Sequence, residues 1–177
     1  MWYYIACYPG WNGRLRWVSR AWKERSMPIF ERIVSTTIEI AAAPMDVWTV
    51  LTDLSRYPLW NPHIREGTGI VAVGKRLTLR MYPPKSSPIT VHPTVVVAEP
   101  GVEWRLRARV PGLFRSEHYF TLQAANSGTR LTQGEIYSGV IVPLIGATIA
   151  MSARSFQEHN QALKRQVEAR EHMSMPV

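Results

Sequence analysis

Cysteine is almost absent from this chain: Cys7 is the single one among 177 residues. One thiol cannot form an internal disulfide and gives no zinc pattern, so a reducing cytosol is the simplest expected compartment. No apolar run is long enough to span a bilayer. The five histidines are scattered, with no H-E-x-x-H pair to give metal-ligand spacing. A Gly-rich phosphate loop and a G-x-S-x-G nucleophile elbow are missing too. Neither a metal nor a cofactor is therefore expected. Acidic residues are outnumbered, 13 against 21 Lys/Arg, which gives a net charge of +8 and a pI near 10.1. That excess would suit nucleic acid or an anionic membrane, so its position matters. Residues 1–26 hold five Lys/Arg and one Glu, while residues 27–177 hold sixteen and twelve. Each part therefore carries +4, and half of the excess sits in the first 26 residues.

Those 26 residues carry four of the seven tryptophans, Trp2, Trp11, Trp17 and Trp22. Arg14, Arg16, Arg20, Lys23 and Arg25 interleave with the last three. The apolar run from Trp2 to Tyr8 has no basic residue before it and ends at Pro9-Gly10, whereas a signal peptide needs a basic start and a longer apolar segment, so none is expected here. Too little chain precedes Cys7 for the lipidation box that Tyr4-Ile5-Ala6-Cys7 faintly suggests. From Trp11 to Arg25 a basic amphipathic helix could lie on a membrane surface. The favoured reading is that Met27 is the biological start and that residues 1–26 are an over-extended gene prediction or a loose arm. The expected division is an arm over 1–26 and one folded domain over 27–177, for which 46% hydrophobic residues supply an ample core.

The domain opens with an alternating strand, Glu31 to Ala41, with Val34, Thr36, Ile38 and Ile40 on one side. Ala43-Pro44 starts a helix with Pro44 in its first turn and Asp46 where the helix dipole favours a carboxylate. Val47, Leu51 and Leu54 mark its buried face, bordered by Trp48. Pro58 and Pro62 limit a second helix to about Ser55–Leu59. Strands are then expected over Ile64–Ala72, Arg76–Tyr82, Ile89–Ala98, Glu103–Arg109, Glu117–Gln123 and Thr129–Tyr137, separated by turn residues. Pro93 makes Ile89–Ala98 an edge or a bulge site. Arg105, Arg107 and Arg109 line one side of their strand, with Arg76 and Arg80 on a nearby strand by parity. Such a row is usually the wet face of an antiparallel sheet.

A long helix closes the chain, from Pro143 to about Arg170. Ile145, Ile149, Ala153, Phe156, Leu163 and Val167 share one face. Asn160 interrupts that stripe and is expected to bond backbone of the sheet or a loop. The first half, Leu144 to Met151, is apolar on nearly every side, so it must be buried on more than one side or lie beside something apolar. Strands joined by short turns, with the helix last, indicate an α+β fold with a curved sheet around the helix.

Ile38 to Pro62, IEIAAAPMDVWTVLTDLSRYPLWNP, resembles the opening of the SRPBCC superfamily, also called START-like or birch-pollen-allergen-like. The likeness is greatest to the bacterial polyketide cyclase/dehydrase group. It continues through VGKRLTLRM, the run from Val97 to Leu122, GTRLTQGEIYSGVIVPLIG, and the last helix with Phe156, Asn160 and Leu163. It covers about Ile33 to Arg170. The resemblance implies a helix-grip fold: about seven antiparallel strands curled round the C-terminal helix, two short helices after the first strand, and an apolar cavity between sheet and helix. The family mixes lipid and polyketide binders, cyclases and transport proteins, so it implies no one activity.

Candidate site residues follow from parity. If Leu122 pairs with Leu131, Phe120 faces Gln133 and His118 faces Glu135, close enough for imidazole and carboxylate to bond. That pair is either a polar handle for a ligand, an acid/base pair, or a structural link. The expected cavity lining is Trp60, Leu79, Met81, Trp104, Leu106, His118, Phe120, Gln133, Glu135, Ile145, Ile149 and Met151. Trp60 would roof the cavity or anchor the second helix. His63 and His92 are expected in a loop and on a strand surface. Three functions stay open, in this order: a carrier of an apolar small molecule such as a lipid, polyketide or isoprenoid-like compound; a cyclase or dehydratase using His118 and Glu135; and a basic surface binder. Nucleic acid ranks last among partners, and membrane contact would run through the arm.

Overall fold

The computed structural model describes residues 30–83 and 87–174, with side chains as far as 170. The N-terminal arm, Cys7 and Met27 lie outside the described residues.

Strand β1 (Glu31–Ile40) leads into helix α1 (Pro44–Thr52), a 3-10 turn (Leu54–Arg56) and helix α2 (Tyr57–Trp60). Pro44 sits at the start of α1, where a missing N–H leaves no bond unmade. Strands β2 (Ile64–Thr68), β3 (Thr78–Met81), β4 (Ile89–Val91), β5 (Thr94–Glu99), β6 (Glu103–Val110), β7 (Phe114–Ala125) and β8 (Gly128–Ser138) follow. A 3-10 turn (Val142–Ile145) then feeds helix α3 (Gly146–Ser174).

The strands form a five-stranded antiparallel sheet, β1-β8-β7-β6-β5, and a three-stranded one, β2-β3-β4. The expected strand Ile89–Ala98 is two strands, β4 and β5, one in each sheet. Pro93 stands at the break because it has no N–H to offer a ladder. The backbone carries the surface across the gap: Leu77 N donates to Pro93 O and Val95 N to Lys75 O, at 2.9 and 2.8 Å. Together the sheets make one curved wall. Arg80 lies on β3 of the smaller sheet and pairs with Glu66 at 3.5 Å. It is therefore not in one row with the β6 arginines. Those are largely neutralised nearby: Arg105 meets Glu103 at 2.7 Å, and Arg107 meets Glu117 at 2.9 Å.

The β7–β8 ladder pairs Leu122 with Leu131, Phe120 with Gln133 and His118 with Glu135, the register the alternation predicts. Gly134 gives this hairpin a tight crossing. The Tyr119 ring lies over its Cα, so a Cβ there would collide with the ring.

Helix α3 lies in the curve of the sheet. Its second half is fastened to β1 and the chain just after it. Asn160 Nδ2 donates to Thr36 Oγ1 at 2.9 Å, Lys164 Nζ to Glu39 O at 2.8 Å, and Ala41 N to Glu168 Oε1 at 2.9 Å. Asn160 thus meets a side-chain hydroxyl rather than backbone. The main core gathers Ile40, Val47, Leu51, Tyr57, Leu77, Val95, Trp104, Leu131, Leu163 and Val167. A smaller cluster of Tyr137, Val142 and Ile149 forms at the start of α3.

Candidate functional site

Between the wall and the middle of α3 the side chains do not close. They leave a cavity of about 190 Å³. The outer sheet side contributes Leu79, Met81, Val91, Pro93, Trp104, Leu106 and Ala108; the deep end, Tyr57, Asn61 and Phe120; the helix, Ser155, Phe156 and His159. The rings are in mutual contact. Trp104 stacks on Phe120 with centroids 5.6 Å apart, and Phe156 stands edge-on to His118 at 5.0 Å.

One stretch of this apolar lining is polar, and it comes from β7 and β8: Ser116, His118, Gln133 and Glu135. Cross-strand register makes the cluster, since His118 is opposite Glu135 and their side chains leave the same face. His118 Nδ1 is 3.3 Å from Glu135 Oε2, and Tyr137 Oη donates to the same oxygen at 2.8 Å. Behind Tyr137, Ser152 of α3 lies 2.8 Å from its hydroxyl. On the other side, the Gln133 amide nitrogen is 3.1 Å from His118 Nε2. An amide NH₂ only donates. With the amide in this orientation His118 Nε2 accepts and the Nδ1 proton bonds Glu135; with the amide turned over, its oxygen would accept from an imidazolium.

Burial pushes the Glu135 carboxyl up. The hydrogen bond and attraction of His118, with hydrogen bonds from Tyr137 and Ser116, outweigh burial and hold it below the usual carboxylate value. The group is therefore an anion near neutral pH, set into an otherwise greasy wall. Burial raises the Tyr137 phenol, and the charge of Glu135 raises it further, so it stays a donor.

His159 is a wall residue that parity reasoning passed over. It is 4% exposed, and burial, aided by His118, pushes it down to about 3. It is a neutral ring between Trp60 and Phe120, with centroids at 5.3 and 5.6 Å. The signal was present: Phe156, His159 and Leu163 step by three and four along one stripe. His63 was expected in a plain loop, yet it lines the cavity, and its Nε2 is 3.1 Å from Glu158 Oε2 on α3. Asn61 holds that loop in place. Its Oδ1 accepts from His63 N and Ile64 N at 2.9 and 2.8 Å.

Leu79, Met81, Trp104, Leu106, His118, Phe120, Gln133 and Glu135 are brought together around the cavity, and four other candidates are not. Trp60 lies behind the wall, edge-on to Tyr57 at 4.9 Å. Tyr57 and Asn61 share the cavity face of α2 by i, i+4 spacing, which turns Trp60 aside. Ile149 is buried in the smaller cluster, with Ile145 packed against it. The cavity instead meets α3 at Phe156, seven residues and roughly 10 Å further along the same face. Met151, roughly 200° round the helix from Ile149, is 59% exposed, and Leu144 is 84% exposed. The void therefore lies beside the middle of α3 and not beside its first turns.

A second depression, about 500 Å³ between α1, the turn after it and β2, is a shallow groove in which Asp53 is the one charged lining residue. Among the described residues no group of three or more His, Cys, Asp or Glu could hold a metal ion. No described helix is long and apolar enough to cross a membrane.

Residues 31–168 match the family model described as "Polyketide cyclase / dehydrase and lipid transport". No curated protein matches the chain at a significant level. Solved structures do. The Zhui aromatase/cyclase from Streptomyces sp. R1128 is similar over 84% of this chain and 100% of its own, with 14% identity and a TM-score of 0.67. Protein MLL2253 from Mesorhizobium loti is 21% identical over 78% of this chain and 98% of its own, with a TM-score of 0.61. The di-domain ARO/CYC StfQ from the steffimycin biosynthetic pathway is 14% identical, with a TM-score of 0.64 over 80% of this chain. The match spans 52% of StfQ. At these identities the likeness is one of fold.

Proposed function

Because this chain belongs to the polyketide cyclase / dehydrase and lipid transport family, we propose that it binds and carries an apolar small molecule between the sheet and α3. The observation that carries this reading is the unfilled space. Native interiors pack without voids much larger than water. If it were fully enclosed, 190 Å³ of empty space would cost on the order of 4–5 kcal/mol at the measured cost per unit of cavity volume; the cavity is partly open, so that figure is an upper bound. The side chains around it are large enough to have closed it, and they do not. Native mass spectrometry of the gently purified chain should show a small-molecule adduct that disappears on denaturation. No adduct, together with no calorimetric binding of any apolar probe, would overturn the proposal.

The bond between His118 and Glu135 favours a second reading, a cyclase or dehydratase on a polyketide-like substrate. A neutral imidazole oriented by a carboxylate is the arrangement of a general base. In that case Glu135→Gln and His118→Ala would abolish turnover while the chain still bound its substrate. Variants that only unfold would assign the pair to structure.

A further inference from the structure

We propose that the occupant of the cavity is a compact ring compound carrying a neutral hydroxyl group, with the ring against Trp104, Phe120 and Phe156 and the hydroxyl donating to Glu135. This rests on the reading of the cavity as a binding site and narrows it.

Size limits the occupant first. An apolar cavity of about 150 Å³ takes up benzene, whereas sites for drug-sized ligands run from about 300 Å³ upward. At about 190 Å³ this one suits a substituted single ring. A long acyl chain would leave most of its length outside.

Hydrogen-bond accounting then selects the head group. Two donors on the polar stretch, His118 and Tyr137, are already committed. His118 gives its Nδ1 proton to Glu135 and takes one from Gln133 at Nε2. Tyr137 gives its proton to Glu135. The Trp104 Nε1 and Asn61 Nδ2 donors lack partners but are covered by surrounding atoms. What remains open is acceptor capacity. An ionised carboxylate offers about four acceptor sites, and His118 and Tyr137 account for two, both at Glu135 Oε2. A ligand hydroxyl can take one at the other oxygen. A carboxylate meets like charge at Glu135. An ammonium would have to lose its hydration among Leu79, Met81 and Leu106 beside a carboxylate that His118 already partners.

Calorimetry on the full chain with five probes tests this: para-ethylphenol, ethylbenzene, para-ethylbenzoate, phenethylamine and decanol. Para-ethylphenol should bind at least about tenfold tighter than ethylbenzene, the scale of one hydrogen bond to a charged group. It should also bind tighter than the other three. In Glu135→Gln the phenol-to-ethylbenzene ratio should fall toward one. If that variant does not fold, the ligand series on the unaltered chain decides alone. Equal binding of phenol and ethylbenzene would overturn the inference, as would tighter binding of the benzoate or the amine. Tighter binding of decanol would overturn it while leaving the apolar carrier intact. No binding by any probe would remove both.

Discussion

His159 shows how much one side chain can set. As a neutral ring it fills the wall between α2 and β7, but it cannot take up a proton there without a large penalty. The unfolded chain binds that proton below about 6.5, and the folded chain only near 3. Between those values the unfolded state holds more protons, so stability is full above pH 6.5 and falls as the pH drops through that window. The limiting slope is about 1.4 kcal/mol per pH unit. Urea unfolding at pH 7 and pH 5 should show the unaltered chain losing at least about 1 kcal/mol more than His159→Leu. Equal losses would mean that the histidine is not buried as described. Glu135 acts in a lower window that overlaps the acid end of this one. Its contribution is present above the ordinary carboxylate value of 4.5 and is lost as the pH falls below it. His118 and Glu135 were legible in the sequence because strand parity fixes which side chains face each other. His159 was harder to read because a polar residue on a helical stripe looks the same whether it faces a wall or a void.

At the scale of elements, the short link from α2 into β2 shapes the deep end of the cavity. Asn61 bonds two successive backbone N–H groups there, and it is 4% exposed. Asn61→Ala would strand those donors, at a cost of roughly 1–3 kcal/mol. A drop in the urea midpoint with an unchanged slope would register it; a change below about 0.5 kcal/mol would show that water replaces the amide. Element order and most strand positions could be read from alternation and turn residues. The division at Pro93 was half legible. Its missing N–H announces an interruption, but which sheet takes each half depends on the curvature of the whole wall. The position of the cavity along α3 was not legible. Ile145, Ile149 and Phe156 lie on one face, and only tertiary packing decides which of them meets a partner.

For the molecule as a whole, the cavity is a test of whether void and stability trade against each other. Ala108 lines it from near the end of β6 and is only half-buried. Ala108→Phe should project a ring into the void, abolish binding of apolar probes, and leave the melting temperature unchanged or higher. A large loss of stability would show that the space is smaller or more rigid than described. The unequal fastening of α3 has a further consequence. Its second half holds Phe156, His159, Asn160, Leu163 and Val167 in the core and is tied to β1 and the chain after it by three hydrogen bonds. Its first turns are held through Ile149, in the small cluster with Tyr137 and Val142, and through Ser152, with Gly146, Ala147, Thr148, Ala150 and Met151 facing solvent. The helix is therefore two cooperative units in one rod. Amide hydrogens from about 147 to 155 should exchange with solvent well before those from 156 to 167. Fraying of that weaker unit, one turn at a time, would part Ser152 from the Tyr137 hydroxyl while Phe156 and His159 keep the helical wall of the cavity in place.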